Sequence, residues 1–170
     1  MQINVSQLLK ESMGSLRNYE VSEVVDVTGD GGGEEVRGKV SLLRTNRGIL
    51  VKGELHTEVE LACSRCLNLF HYPVTLNIEE EYIPTIDIDS GSPLPTPEES
   101  GTFIIDEHHV IDLTEAIRQY TLLVIPMKPL CQEGCAGLCP SCGHNLNQGP
   151  CGCPSQVVDP RWSALSKLLK

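Results

Sequence analysis

The sequence predicts an α+β fold: a strand-rich antiparallel body, a capped helix and a cysteine-rich, zinc-binding C-terminal segment. Three observations predict it. Apolar and polar residues alternate with a period of two through much of the stretch from about 19 to 83. Leu113, Ala116, Ile117, Tyr120 and Val124 then share one helical face. Six of the chain's eight cysteines fall between Cys131 and Cys153. These features divide the chain into an α+β body at 1–125, with an acidic loop at about 84–101, and a cysteine-rich zinc segment with a C-terminal helix at 126–170.

The first element is a short helix in "VSQLLKES", with Ser6 as its cap and Gly14 as its stop. A strand follows from Tyr19 to Val27, and "TGDGGGEE" connects it onward. That glycine run is no phosphate loop, because neither Lys-Ser/Thr nor a helical pattern comes after it. "VRGKVSLLRT" and "GILVKGELHTEVELAC" form a hairpin turned by "TNRG", with Ile49, Val51, Gly53, Leu55 and Thr57 on one face. "FHYPVTLNIEEEYIP" supplies a further strand or two, and Pro73 makes its start an edge or a bend. Glu79, Glu80 and Glu81 read as a solvated strand end. "TIDIDSGSPLPTPEESG" is too rich in Pro, Gly and acids to pack.

Asp112 and Glu115 have capping-box spacing at the start of the next helix, which Pro126 and Pro129 end. His108 and His109 precede it with no visible partner, and read as solvated or packing residues. The final "DPRWSALSKLLK" starts with an Asp cap and a Pro at the first helical position. Trp162, Leu165 and Leu169 line its apolar stripe, and Lys167 and Lys170 suit its C-terminal end.

The cysteines carry the chemistry. Two Cys-x-x-Cys pairs, "CSRC" at Cys63/Cys66 and "CPSCG" at Cys139/Cys142, have the spacing of turns that aim two sulfurs at one point. Two such turns facing each other make a tetrahedral zinc site from Cys63, Cys66, Cys139 and Cys142. Cys131, Cys135, Cys151 and Cys153 remain for a second site. Closing the long loop costs roughly 4 kcal/mol. Zinc binding to four thiolates is worth on the order of 10–16 kcal/mol, so the loop is no obstacle. A local site from Cys139, Cys142, Cys151 and Cys153 needs no long loop and stays open as an alternative. His144 is a spare ligand.

Three rival chemistries fit less well. Cys135, Cys139 and Cys142 have a spacing that also holds iron–sulfur clusters for radical chemistry, but such enzymes need a large barrel and the chain has 170 residues. A thioredoxin-like redox enzyme or sensor needs its cysteine pair at a helix start, whereas "CSRC" ends a strand. Free reduced thiols leave this spacing unexplained. A four-thiolate zinc has no open coordination position, which argues against an enzyme.

No signal peptide or apolar stretch of membrane-spanning length is visible, so a reducing, cytoplasmic compartment is expected. Charge is unevenly placed. Residues 1–65 carry eight Lys/Arg and ten Asp/Glu, residues 66–117 none and eleven, and residues 118–170 five and two. A net −11 middle opposes nonspecific nucleic-acid binding by the whole surface.

"CSRC" after a strand, "CQEGCAGLCPSCGHNLNQGPCGC", "DPRWSALSKLL" and the opening "INVSQLLKESMGSLRNYEV" resemble the YceD family of large ribosomal RNA subunit accumulation proteins. The resemblance covers nearly the whole chain. It implies a noncatalytic factor for large-subunit ribosomal RNA, with no catalytic residues and no small-molecule substrate. The expected cofactor is Zn2+. The expected partner is that RNA, met by Arg65, Lys128, Arg161 and Lys167, or a basic ribosomal protein drawn to the acidic middle.

Overall fold

The period-two pattern resolves into long pleated strands with one buried row. The computed structural model describes residues 1–27, 31–95, 101–153 and 161. Strands β2 (Leu16–Val25), β3 (Glu34–Arg44), β4 (Ile49–Ala62) and β5 (Leu69–Pro84) form an antiparallel meander, and β6 (Phe103–Ile105) adds to it in parallel. A second, two-stranded sheet pairs β1 (Gln2–Asn4) with β7 (Val110–Asp112). Helices α1 (Ser6–Lys10) and α2 (Thr114–Val124) complete the described elements.

Ile49, Val51, Leu55, Thr57 and Val59 of β4 are buried together, as their alternation predicts. Leu55 lies opposite Leu76, and Thr57 opposite Val74. Val36, Val40 and Leu42 extend this row across β3, while Leu8, Leu9, Ile111, Leu113 and Ile117 close the core. Tyr82 fills its end, stacking on Phe103 at a centroid distance of 5.1 Å and donating to the Asp112 carbonyl at 3.3 Å. The β4–β5 pair is the longest, with register from Ile49↔Tyr82 to Ala62↔Leu69. It carries its connecting turn, residues 63–68, beyond this core into a separate small cluster built around Cys63, Cys66 and Cys135.

Several expectations shift. "TNRG" does turn the β3–β4 hairpin, where Thr45 N–H donates to the Gly48 carbonyl at 3.0 Å. Pro73 sits within an unbroken β5 opposite Glu58. There β5 is an edge, since β6 pairs only with Tyr82, Ile83 and Pro84. Ser6 is not the cap of α1; Asn4 Oδ1 takes its N–H at 3.1 Å and its hydroxyl at 2.6 Å. The capping box at α2 does not form either. Asp112 Oδ1 instead accepts the Thr114 N–H at 2.9 Å, and Glu115 turns forward to Arg118 and Gln119. Arg118 holds the Glu115 carboxyl down, to about 2. Val124 is exposed rather than buried on the α2 face, and Thr121 is buried, its hydroxyl donating back to the Ile117 carbonyl at 2.8 Å. In the expected acidic loop, Asp87 Oδ1 organises a turn by accepting the Ser90 N–H at 2.8 Å. The stripe of Trp162, Leu165 and Leu169, with Lys167 and Lys170, lies outside the described residues. Among the described residues no helix is long and apolar enough to cross a membrane.

Candidate metal centres

The eight sulfurs gather into two sets of four. Cys63, Cys66, Cys131 and Cys135 form one, and Cys139, Cys142, Cys151 and Cys153 the other; within each, the Sγ atoms lie within 4.8 Å of one another. This corrects the expected partition. The two Cys-x-x-Cys turns do not face each other; each faces a different partner pair. The expected second set is likewise split, Cys131 and Cys135 joining the first turn and Cys151 and Cys153 the second. The tail-only alternative is the arrangement found for the second cluster.

The physical reason lies in the approach of the tail. After α2, the extended Ile125 leads to Pro126 and Pro129, and the Ser64 N–H donates to the Pro129 carbonyl at 2.8 Å. That bond docks the segment beside the β4–β5 turn just before Cys131. Cys131 then meets Cys66, Sγ to Sγ 3.7 Å, and Cys135 meets Cys63 at 3.7 Å. By the time the chain reaches Cys139, the first set already has four members. Cys63, Cys66 and Cys135 are buried, and the partly buried Phe70, Leu130 and Leu138 pack against them. The second cluster is more open, with Cys142 exposed.

The two Cys-x-x-Cys turns share one hydrogen-bond frame. Cys63 N–H donates to the Asn68 carbonyl at 2.9 Å, and Cys139 N–H to the His144 carbonyl at 2.8 Å. Leu67 N–H returns to the Cys63 carbonyl at 2.9 Å, and Gly143 N–H to the Cys139 carbonyl at 2.8 Å. In both turns the residue after the second cysteine is left-handed: Leu67 at φ 59° and Gly143 at φ 74°. Gly143 adopts this freely, but Leu67 carries a Cβ and is strained. Its side chain is 66 % exposed and recovers little by packing. Leu67→Gly should therefore stabilise the turn, by up to about 1 kcal/mol after the glycine's greater unfolded-state entropy. Chemical denaturation of the metal-loaded variant checks this.

Amide dipoles converge on the first sulfur of each turn. The Cys63 thiol is held down to about 6, chiefly by the Cys131 N–H and also by those of Cys66 and Arg65. Cys139 is lowered to about 6 by the N–H groups of Cys142 and Ser141. Cys135 is lowered first by the Asn147 side chain. Their neighbours move the other way. Cys131 rises to about 12 through burial and the nearby sulfurs, and Cys153 to about 12 through Cys142 and burial. Four sulfurs this close repel as thiolates, and a cation among them removes that conflict. Each cluster therefore has the donor set, spacing and amide support of a site that can hold a soft or borderline metal ion. His144 contributes its backbone carbonyl to the turn and is absent from both sets.

Of the residues expected to meet a partner, Arg65 is exposed and its guanidinium donates to the Cys135 carbonyl at 2.8 Å. Lys128 and Arg161 are exposed, and Lys167 lies outside the described residues. Sequence reasoning missed Asn147, whose amide donates to Cys135 Sγ at 3.3 Å. Its only signal was its place between Cys142 and Cys151.

The sequence model described as "Large ribosomal RNA subunit accumulation protein YceD" matches residues 51–169. The chain is 32% identical over 124 residues to an uncharacterized protein of Mycobacterium tuberculosis, covering 73% of this chain and 57% of the relative. It is 29% identical over 121 residues to one of Mycobacterium leprae, covering 71% and 53%. The Arabidopsis thaliana protein named "Large ribosomal RNA subunit accumulation protein YCED homolog 1, chloroplastic" is 25% identical over 186 aligned positions, covering 97% of this chain and 56% of that one. The chain thus spans just over half the length of these curated relatives. No solved structure matches it. The family's sequence model takes in both thiol clusters and most of the β4–β5 hairpin, and on that ground the chain belongs to the YceD family, named for large ribosomal RNA subunit accumulation.

Proposed function

We propose that this chain is a noncatalytic, zinc-stapled binding factor that supports accumulation of large-subunit ribosomal RNA during ribosome biogenesis. Residues 1–125 serve as the body, and residues 126–170 form a cysteine-rich module fastened to it. The observation that carries the reading is the pair of complete four-thiol clusters, in a chain whose family is named for that RNA. Four cysteines satisfy zinc's tetrahedral preference and leave no position for a substrate or a reactive water. The ion's contribution is then folding energy and a rigid docking surface. Thiol ligands of this kind are kept reduced in the cytoplasm, the location this reading assigns.

A basic ribosomal protein is the favoured partner. Glu54, Glu58 and Glu60 project from the exposed face of β4, while Glu79 of β5 lies opposite Lys52 and pairs with it at 2.7 Å. Such a face steers cationic partners and repels phosphate. Capture with immobilised chain from a ribosome-containing lysate tests this, across a salt gradient and with or without ribonuclease. The expected catch is a basic large-subunit protein that survives ribonuclease and weakens with salt. A catch lost on ribonuclease treatment would replace the protein with RNA, met by Arg65, Lys128, Arg161 and Lys167. Recovery of neither would overturn the function.

A further inference from the structure

The clusters are not independent. Cys135 belongs to the first and Cys139 to the second, with only Ala136, Gly137 and Leu138 between them. The loop from Cys142 to Cys151, both ends of which are ligands of the second cluster, folds back over this short bridge. Leu146 N–H donates to the Gly137 carbonyl at 2.9 Å, and Leu138 pairs with Asn145 as an isolated antiparallel bridge. At the point of return stands Asn147. Its Oδ1 accepts the Ala136 N–H at 2.8 Å and the Gln132 amide at 3.3 Å. Its Nδ2 donates to Asn145 Oδ1 at 2.8 Å and to the Cys135 sulfur at 3.3 Å. A residue of the second cluster's loop thus bonds a ligand atom of the first.

Resting on the metal-binding reading above, we propose that Asn147 is a positioning residue that couples the two clusters, so that a metal ion at one strengthens binding at the other. An ion held by Cys142 and Cys151 fixes both ends of the loop and with them the Asn147 amide. That amide stabilises negative charge on the Cys135 sulfur and sets its direction. Groups that support metal ligands in this way change affinity by about 10- to 100-fold. Linkage makes the effect mutual: whatever the second ion contributes to the first site, the first contributes to the second.

Asn147→Asp is the discriminating substitution. Its carboxylate keeps an oxygen for the Ala136 N–H but puts an acceptor, not a donor, against the sulfur. Asn147→Ala repeats the test without the added charge, and circular dichroism of each variant reports that the sheet is intact. The full chain is titrated with zinc against a chromophoric chelator, and alkylation followed cysteine by cysteine assigns each affinity to its cluster. Destroying the second cluster with Cys142→Ser should weaken the first about tenfold or more in the parent. In either Asn147 background the same substitution should weaken it less than about twofold further, because the link is already cut. With cobalt(II) in place of zinc, Asn147→Asp should move the sulfur-to-cobalt charge-transfer absorption to longer wavelength, since a sulfur without its N–H donor gives up an electron more easily. Two ions bound, with first-cluster affinity indifferent to Cys142→Ser, would overturn the coupling alone. A parent chain that takes up no metal would overturn the metal-binding reading, and the coupling with it.

Discussion

Cys63→Ser should cost the protein one of two equivalents of bound metal and leave the other in place, while Cys142→Ser removes the equivalent that the first variant keeps. The expectation follows from the grouping of Cys63 with Cys66, Cys131 and Cys135, and of Cys142 with Cys139, Cys151 and Cys153. The two losses should differ in consequence. A structural zinc site contributes on the order of 10–16 kcal/mol of apparent binding energy, and an ion held by the first cluster would join the β4–β5 turn to a segment more than sixty residues away. Without that ion, the Ser64–Pro129 contact has little to hold it, and proteolysis should begin between 125 and 135. The second cluster draws all four ligands from the tail, so Cys142→Ser should leave the turn docked through the remaining contacts. Elemental analysis with limited proteolysis decides the matter. Loss of the same equivalent in both variants would mean that the sulfurs of the two Cys-x-x-Cys turns share one ion.

Gly38→Val should force apart two central strands of the sheet and destabilise the protein strongly. A Cβ built at Gly38 stands 2.1 Å from the Glu54 carbonyl oxygen and 2.9 Å from Leu55 Cα. Both are backbone atoms of β4, so β3 and β4 have to part at the centre of the meander. The expected loss is about 3 kcal/mol, at the upper end for overpacking. Gly53→Ala is the control. Its nearest neighbour is Val40 Cγ2, a side-chain atom, at 3.3 Å, so the loss should stay below about 1 kcal/mol. Urea denaturation of the two variants measures the contrast, and equal stabilities would contradict the β3–β4 register.

Much of this architecture was legible because it rests on short-range pattern. The row from Ile49 to Thr57 has the period of a half-buried strand, and "TNRG" fits the only gap between β3 and β4. The short β1, β6 and β7 were not legible. Three residues carry no measurable period, and these strands exist because partners distant in the chain offer them a ladder. The cap of α2 was misread by one residue because Asp112 and Glu115 match a motif in spacing, while the Asp112 carboxylate takes the Thr114 N–H and Glu115 is engaged by Arg118 and Gln119. The thiols show the same division. Spacing identified both Cys-x-x-Cys turns, even the one with Leu67 where glycine is easier. Spacing could not assign Cys131 to Cys66, since that depends on where Pro129 lands, and a backbone bond to Ser64 leaves no mark in composition.

The pairing of β1 with β7 bears on how the chain comes off the ribosome. Gln2 lies opposite Asp112, and their side chains bond across a separation of 110 residues. The meander from β2 to β5 uses only neighbours and can assemble while later residues are still being translated. The opening strand has no such neighbour. It must wait, unpaired, until residues 110–112 have been made, so a strand that precedes the meander in the chain finds its partner only after the meander is complete.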